Sequence, residues 1–123
     1  MGLDMYAYRV DKKYKTPVIT DDIEEVDKIY YWRKNRHLHN LMEWLYTKKG
    51  GKGEFNTVFV ELTADDIDLL EGMITSGAIE QFDKQGYYFG YNEYASKDYD
   101  LEFVKTARNV LAKGDKVYYY SWW

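Results

Sequence analysis

The apolar residues of this chain change period several times, and that alternation restricts the fold more than any single motif does. Met5 to Val10 is rich in aromatic and branched residues and predicts a first strand. Asp11 to Pro17 is polar, holds the only proline and predicts a loop. The acidic residues Asp21, Asp22, Glu24, Glu25 and Asp27 predict a solvated stretch leading into Ile29-Tyr30-Tyr31-Trp32. The period then becomes helical: Leu38, Leu41, Met42 and Leu45 fall at i, i+3, i+4 and i+7 of a segment running from Asn35 to Lys48. Asn35 is placed to cap its start, and Gly50 follows Lys48-Lys49 as a stop.

The second half repeats the alternation. Glu54 to Leu62 has a strongly β-prone centre and predicts a strand. Thr63 then caps a helix whose first turn carries Asp65 and Asp66, whose buried stripe is Ile67, Leu70 and Ile74 with Met73 alongside, and whose stop is Gly77. Gly86 to Tyr91 predicts a short aromatic strand. A last helix, capped by Ser96 or Asp98, carries Leu101, Val104, Ala107, Arg108 and Leu111 along one side and stops at Gly114. Val117 to Trp123 closes the chain as a final strand. These elements predict an α+β fold, a two-layer sandwich of about four to five strands with three helices mostly on one face, built as a single domain over residues 1–123.

Composition narrows the function. Aromatic residues make up 19% of the chain and include 14 tyrosines, which suits half-buried strands and contact surfaces alike. A net charge of −4 argues against a nucleic-acid partner. With no cysteine there is no disulfide, no thiolate nucleophile and no thiolate-bound metal, which fits a reducing compartment. No apolar run reaches membrane-spanning length and no signal-peptide core is present, so the expectation is a soluble, cytoplasmic protein. Met1-Gly2 does not open a myristoylation motif, because Tyr6 stands where that motif needs Ser or Thr.

The densest cluster of chemistry lies between Tyr30 and Asn40, where Tyr31, Trp32, Arg33, Lys34, Arg36, His37 and His39 crowd a strand-to-helix junction. A helix start presents free amides, and arginine forks match carboxylates or phosphates, so a small anionic ligand fits this chemistry. The bland alternative is that the rings pack and the cations are solvated. His37 and His39 sit two apart at a helix start, where they point in different directions, and a metal would need a third ligand from elsewhere. One histidine serving as a polar core or capping residue is the simpler expectation. Gly50-Gly51-Lys52-Gly53 lacks the spacing of a phosphate loop and precedes a strand, so it is a linker. No serine sits in a nucleophile elbow, and neither metal nor cofactor is expected.

Several of these segments together resemble an uncharacterised small-protein family of tailed bacteriophages and bacteria. The matching features are the Met1-Gly2-Leu3-Asp4-Met5-Tyr6 start, Tyr31-Trp32-Arg33-Lys34 leading to a helix bearing His39, Tyr88-Phe89-Gly90-Tyr91-Asn92-Glu93-Tyr94, and the Tyr120-Ser121-Trp122 tail. The resemblance covers nearly the whole chain and implies a phage or prophage accessory protein in the bacterial cytoplasm. It directs attention to Asp4, Tyr31, Arg33, Lys34, His39, Glu93 and Tyr94 as candidate ligand-binding residues. Asp4, Arg33, His39 and Glu93 lie at strand ends and a helix start, and the expectation is that they converge in one polar cluster.

Two functions follow. The first is a binding module that holds a host or phage protein or a small ligand through an aromatic-rich surface. The second is a small enzyme or nucleotide-binding protein using the Arg33–His39 junction with Asp4 and Glu93. Nothing in the sequence demands catalysis, and the first reading is preferred. A final strand at a sheet edge would additionally let the protein pair with a second copy as a homodimer.

Overall fold

A computed structural model describes residues 3–20, 23, 26–81 and 97–123. Strand β1 (Asp4–Val10) alternates buried and half-buried positions, β2 (Val18–Ile19) is a two-residue edge, and β3 (Asp27–Arg33) precedes helix α1 (Arg36–Lys48). Strand β4 (Phe59–Leu62), helix α2 (Ala64–Ser76), a 3-10 turn (Ala78–Gln81), helix α3 (Lys97–Ala112) and strand β5 (Lys116–Trp122) follow. The sheet is antiparallel throughout, in the order β2-β4-β5-β1-β3. The predicted strand at Gly86–Tyr91, the capping role of Ser96, and the candidates Glu93 and Tyr94 lie outside the described residues.

The fold is α+β, and among the described residues three α-helices pack on one face of a five-stranded sheet. Alternation along the strands decides which side chains meet them. Met5, Ala7, Trp32, Val60, Leu62, Val117 and Tyr119 point inward and join the helical stripes in one core. All four predicted α1 positions, Leu38, Leu41, Met42 and Leu45, are buried there. In α2 the buried positions are Ile67, Leu70 and Ile74.

Local signals hold where the backbone needs them. The Asn35 side chain accepts from the Leu38 amide and caps α1. Thr63 and Asp66 form a reciprocal capping box at the start of α2, and Gly77 ends that helix in the left-handed conformation with φ 81°. Three local expectations are corrected. Helix α3 already begins at Lys97, so Asp98 lies within its first turn instead of capping it. The buried stripe of α3 runs through Asp100, Phe103, Val104 and Ala107, whereas Arg108 turns outward to bond Asp68 and Glu71. The fourth strand covers only Phe59–Leu62, because residues 54–58 make a turn in which Phe55 drops into the core and Thr57 takes φ 58°.

The final strand is not an edge. β5 pairs with β1 along Lys116–Trp122 and with β4 along Val117–Tyr120. Pairing with a second copy through β5 is therefore closed off, because both sides of its backbone are used inside the sheet.

Candidate functional site

Among the described residues no helix packs on the other face of the sheet, and this face carries the exposed chemistry. Register sets three rows across it. Arg33, Asp4 and Trp122 stand opposite one another on β3, β1 and β5. The next row is Tyr31, Tyr6, Tyr120 and Phe59, and the third is Lys28, Tyr8, Tyr118 and Glu61. Tyrosine is well placed here, since its ring packs on a half-exposed pleat while its hydroxyl stays in water.

One end of this face is covered. Ile23, Tyr14, Ile19 and Val26, contributed by the connection between β1 and β3, pack on Val10, Tyr118 and Phe59 in a second, smaller core. The Tyr118 hydroxyl donates to the Thr16 carbonyl at 2.8 Å and ties the connection down. The rest forms a broad depression of about 590 Å³ lined by Tyr6, Tyr8, Lys28, Thr57, Tyr120 and Trp122. Trp122 is 59% exposed, the most of any large apolar side chain described.

The rings hold one another in place. Tyr6 lies 5.9 Å from Tyr8, 5.2 Å from Tyr31 and 6.4 Å from Tyr120 between ring centroids, and Tyr120 lies 4.6 Å from Phe59. Such contacts each add roughly 0.5–1.5 kcal/mol beyond area burial, enough to keep the face preformed. The Lys28 ammonium sits 5.9 Å from the centroids of both Tyr6 and Tyr31, a cation–π arrangement. Neither Lys28 nor Arg33 enters a salt bridge among the described residues. The Tyr31 hydroxyl donates to Asp4 Oδ1 at 2.6 Å; partial burial, followed by this bond to a carboxylate, holds the phenol well above its ordinary pKa.

Backbone strain marks the same end of the face. The two non-glycine residues with positive φ among those described are Lys34 (φ 57°) and Thr57 (φ 58°). Lys34 N–H donates to the Leu3 carbonyl at 2.9 Å and Thr57 N–H to the Ser121 carbonyl at 2.8 Å, so they flank the Arg33–Asp4–Trp122 row from either side. A β-branched residue in the left-handed region is costly, and such outliers gather at ligand-contacting sites. The Asn56 side chain holds the turn, donating to the Trp123 carbonyl at 2.8 Å and accepting its amide at 3.0 Å.

The sequence-derived candidates divide between the two faces. Asp4, Tyr31 and Arg33 come together on the open face, and Lys34 follows directly at its rim. His39 does not join them. It is 2% exposed on the helix side, where its Nδ1 bonds the Tyr119 hydroxyl at 2.8 Å and its ring packs against Phe55 at 5.0 Å. The reason is parity: Tyr119 pairs with Ala7, an inward position, whereas Asp4 is an outward one, so the sheet lies between them. Convergence of Asp4, Arg33 and His39 is therefore corrected, and Glu93 and Tyr94 lie outside the described residues.

The inner face carries its own polar groups. His39 shares its side of α1 with Glu43, one turn on, and Ser121 lies beside Tyr119 on the strand, so a buried polar group is paired within the core, as burial requires. Desolvation raises the Tyr119 phenol far above its usual pKa. At the start of α3, the buried Asp100 carboxylate accepts from Trp32 Nε1 at 3.1 Å and from Asn35 Nδ2 at 3.3 Å. Burial pushes its pKa up to about 6 despite those two donors. The Tyr99 hydroxyl donates to the Tyr31 carbonyl and the Tyr30 hydroxyl to the Tyr99 carbonyl, so α3 is stitched to β3 at the same point.

Fold and surface together define an α+β sheet protein with helices on one face and an open tyrosine-tryptophan surface on the other. Compared with protein-family models, characterised proteins and solved structures, the chain shows no significant match. No helix among the described residues is long and apolar enough to cross a membrane.

Proposed function

We propose that this protein is a binding module whose contact surface is the sheet face opposite α1, α2 and α3, built from Tyr6, Tyr8, Tyr31, Tyr120 and Trp122. The observation that supports this reading is a mutually packed, half-buried tyrosine surface that ends in the exposed Trp122. Tyrosine, tryptophan and arginine dominate binding hot spots, and preformed rings lose little side-chain freedom on contact. The partner class is a protein. The resemblance to small phage proteins supports reading it as an accessory protein of a phage or prophage, acting on a host or phage protein in the bacterial cytoplasm.

A photo-crosslinking amino acid tests this reading in the bacterial cell, placed in turn at Tyr8 on the open face and at Leu69 on the exposed side of α2. The expected result is a discrete adduct from position 8 that disappears when Trp122→Ala is added, with no matching adduct from position 69. The same adducts from both positions would remove the face from the account.

A further inference from the structure

Resting on the binding-face reading, we propose that the depression between β1 and β5 takes a proline-rich segment of its partner in the extended polyproline II conformation. Four observations select this occupant over the other ways a small domain captures a peptide.

Strand addition has little to grip. The β2 edge is two residues long, and on the β3 edge the Tyr31 carbonyl is already taken by the Tyr99 hydroxyl. Insertion of an amphipathic helix calls for an aliphatic groove, and this surface is tyrosine, tryptophan, threonine and lysine. A single-stranded nucleic acid would stack on such rings, but it needs a basic track along its backbone, and the chain carries a net charge of −4.

A polyproline II segment meets what the surface offers. It makes no internal hydrogen bonds, so its carbonyls are free acceptors, and its pyrrolidine rings are apolar plates suited to aromatic walls. Tyr6, Tyr8 and Tyr120 line the depression with rings standing off two adjacent antiparallel strands, and Trp122 stands at its end. Among the described residues the hydroxyls of Tyr6 and Tyr8 have no hydrogen-bond partner, which leaves them available as donors to such carbonyls. The segment's stiffness lowers the entropy lost on docking, which suits a shallow site with few directed contacts.

The test is a titration of the full ¹⁵N-labelled chain with decaproline, with a glycine-serine decapeptide and a ten-nucleotide oligothymidylate as comparators. Decaproline is expected to move the Trp122 indole signal and the amides of β1 and β5, saturating with a Kd below about 1 mM. Trp122→Ala should weaken this at least about tenfold with the remaining spectrum unchanged, and Tyr6→Phe, which keeps the ring, should weaken it a few-fold. Unmoved face signals, equal shifts in Trp122→Ala, or saturation by oligothymidylate in place of decaproline would each overturn the proposal. If the position-8 adduct forms but decaproline does not bind, the occupant is wrong and the binding face stands; if neither occurs, both fall.

Discussion

At the scale of single residues, the two faces of the sheet use similar side chains for opposite ends. Tyr119 and Tyr120 are neighbours in the chain, yet one is fully buried against His39 and the other stands over the open depression. Strand parity alone separates them. The buried Asp100 gives a pH dependence that can be read on its own. Burial raises its pKa to about 6 in the folded protein from the 3.8 of an ordinary aspartate, so the folded state holds its proton more tightly. Stability from this group is full below about pH 4 and is lost as pH rises through about 6, a change of up to about 3 kcal/mol. Asp100→Asn keeps an acceptor for Trp32 and removes the charge. Between pH 4 and pH 7, chemical denaturation should show the variant gaining on the wild type by up to that amount, and a constant difference would contradict the assignment.

At the scale of elements, α1 is the most deeply seated helix, with buried residues on nearly every side. Leu41 is fully buried, so Leu41→Ala should lower unfolding free energy by about 2–5 kcal/mol in denaturant titrations. A loss within measurement error would mean that this stripe does not face the sheet. Deleting Tyr120 to Trp123 removes half of the central β5 and its pairing to β1, and the truncated chain should lose its cooperative melting transition. An unchanged melting temperature would contradict the strand order.

How much of this was legible differs by element. The α1 and α2 stripes and both N-caps could be read from spacing, because a helix writes its buried side at a fixed period. The break after Phe55 could not, since Phe55, Thr57 and Phe59 look like one alternating strand until Asn56 closes on Trp123. The Val18–Ile19 edge was invisible because two residues carry no period. For the site, Tyr31 and Arg33 stand out through their cluster, and Asp4 only through the resemblance of the chain's opening segment. Tyr6, Tyr8, Tyr120 and Trp122 were missed as a surface, although their spacing of two in β1 and β5 was the available signal. His39 was drawn to the wrong face because nearness in sequence to Arg33 says nothing about which side of the sheet a following helix packs on.

At the scale of the whole molecule, the two faces divide the labour: stability from the helix side, contact from the open side. His39 and Trp122 represent the two, one 2% and the other 59% exposed. Removing His39 leaves the Tyr119 hydroxyl short of a buried partner, at a cost of roughly 1–3 kcal/mol before any cavity term. Removing Trp122 takes away mostly solvated surface. The most direct measurement is the yield of the position-8 adduct read against melting temperature for His39→Ala and Trp122→Ala side by side. His39→Ala is expected to melt several degrees lower and keep its adduct, while Trp122→Ala melts near the wild type and loses it. Loss of the adduct in His39→Ala at unchanged melting temperature, with Trp122→Ala binding normally, would contradict this division of labour.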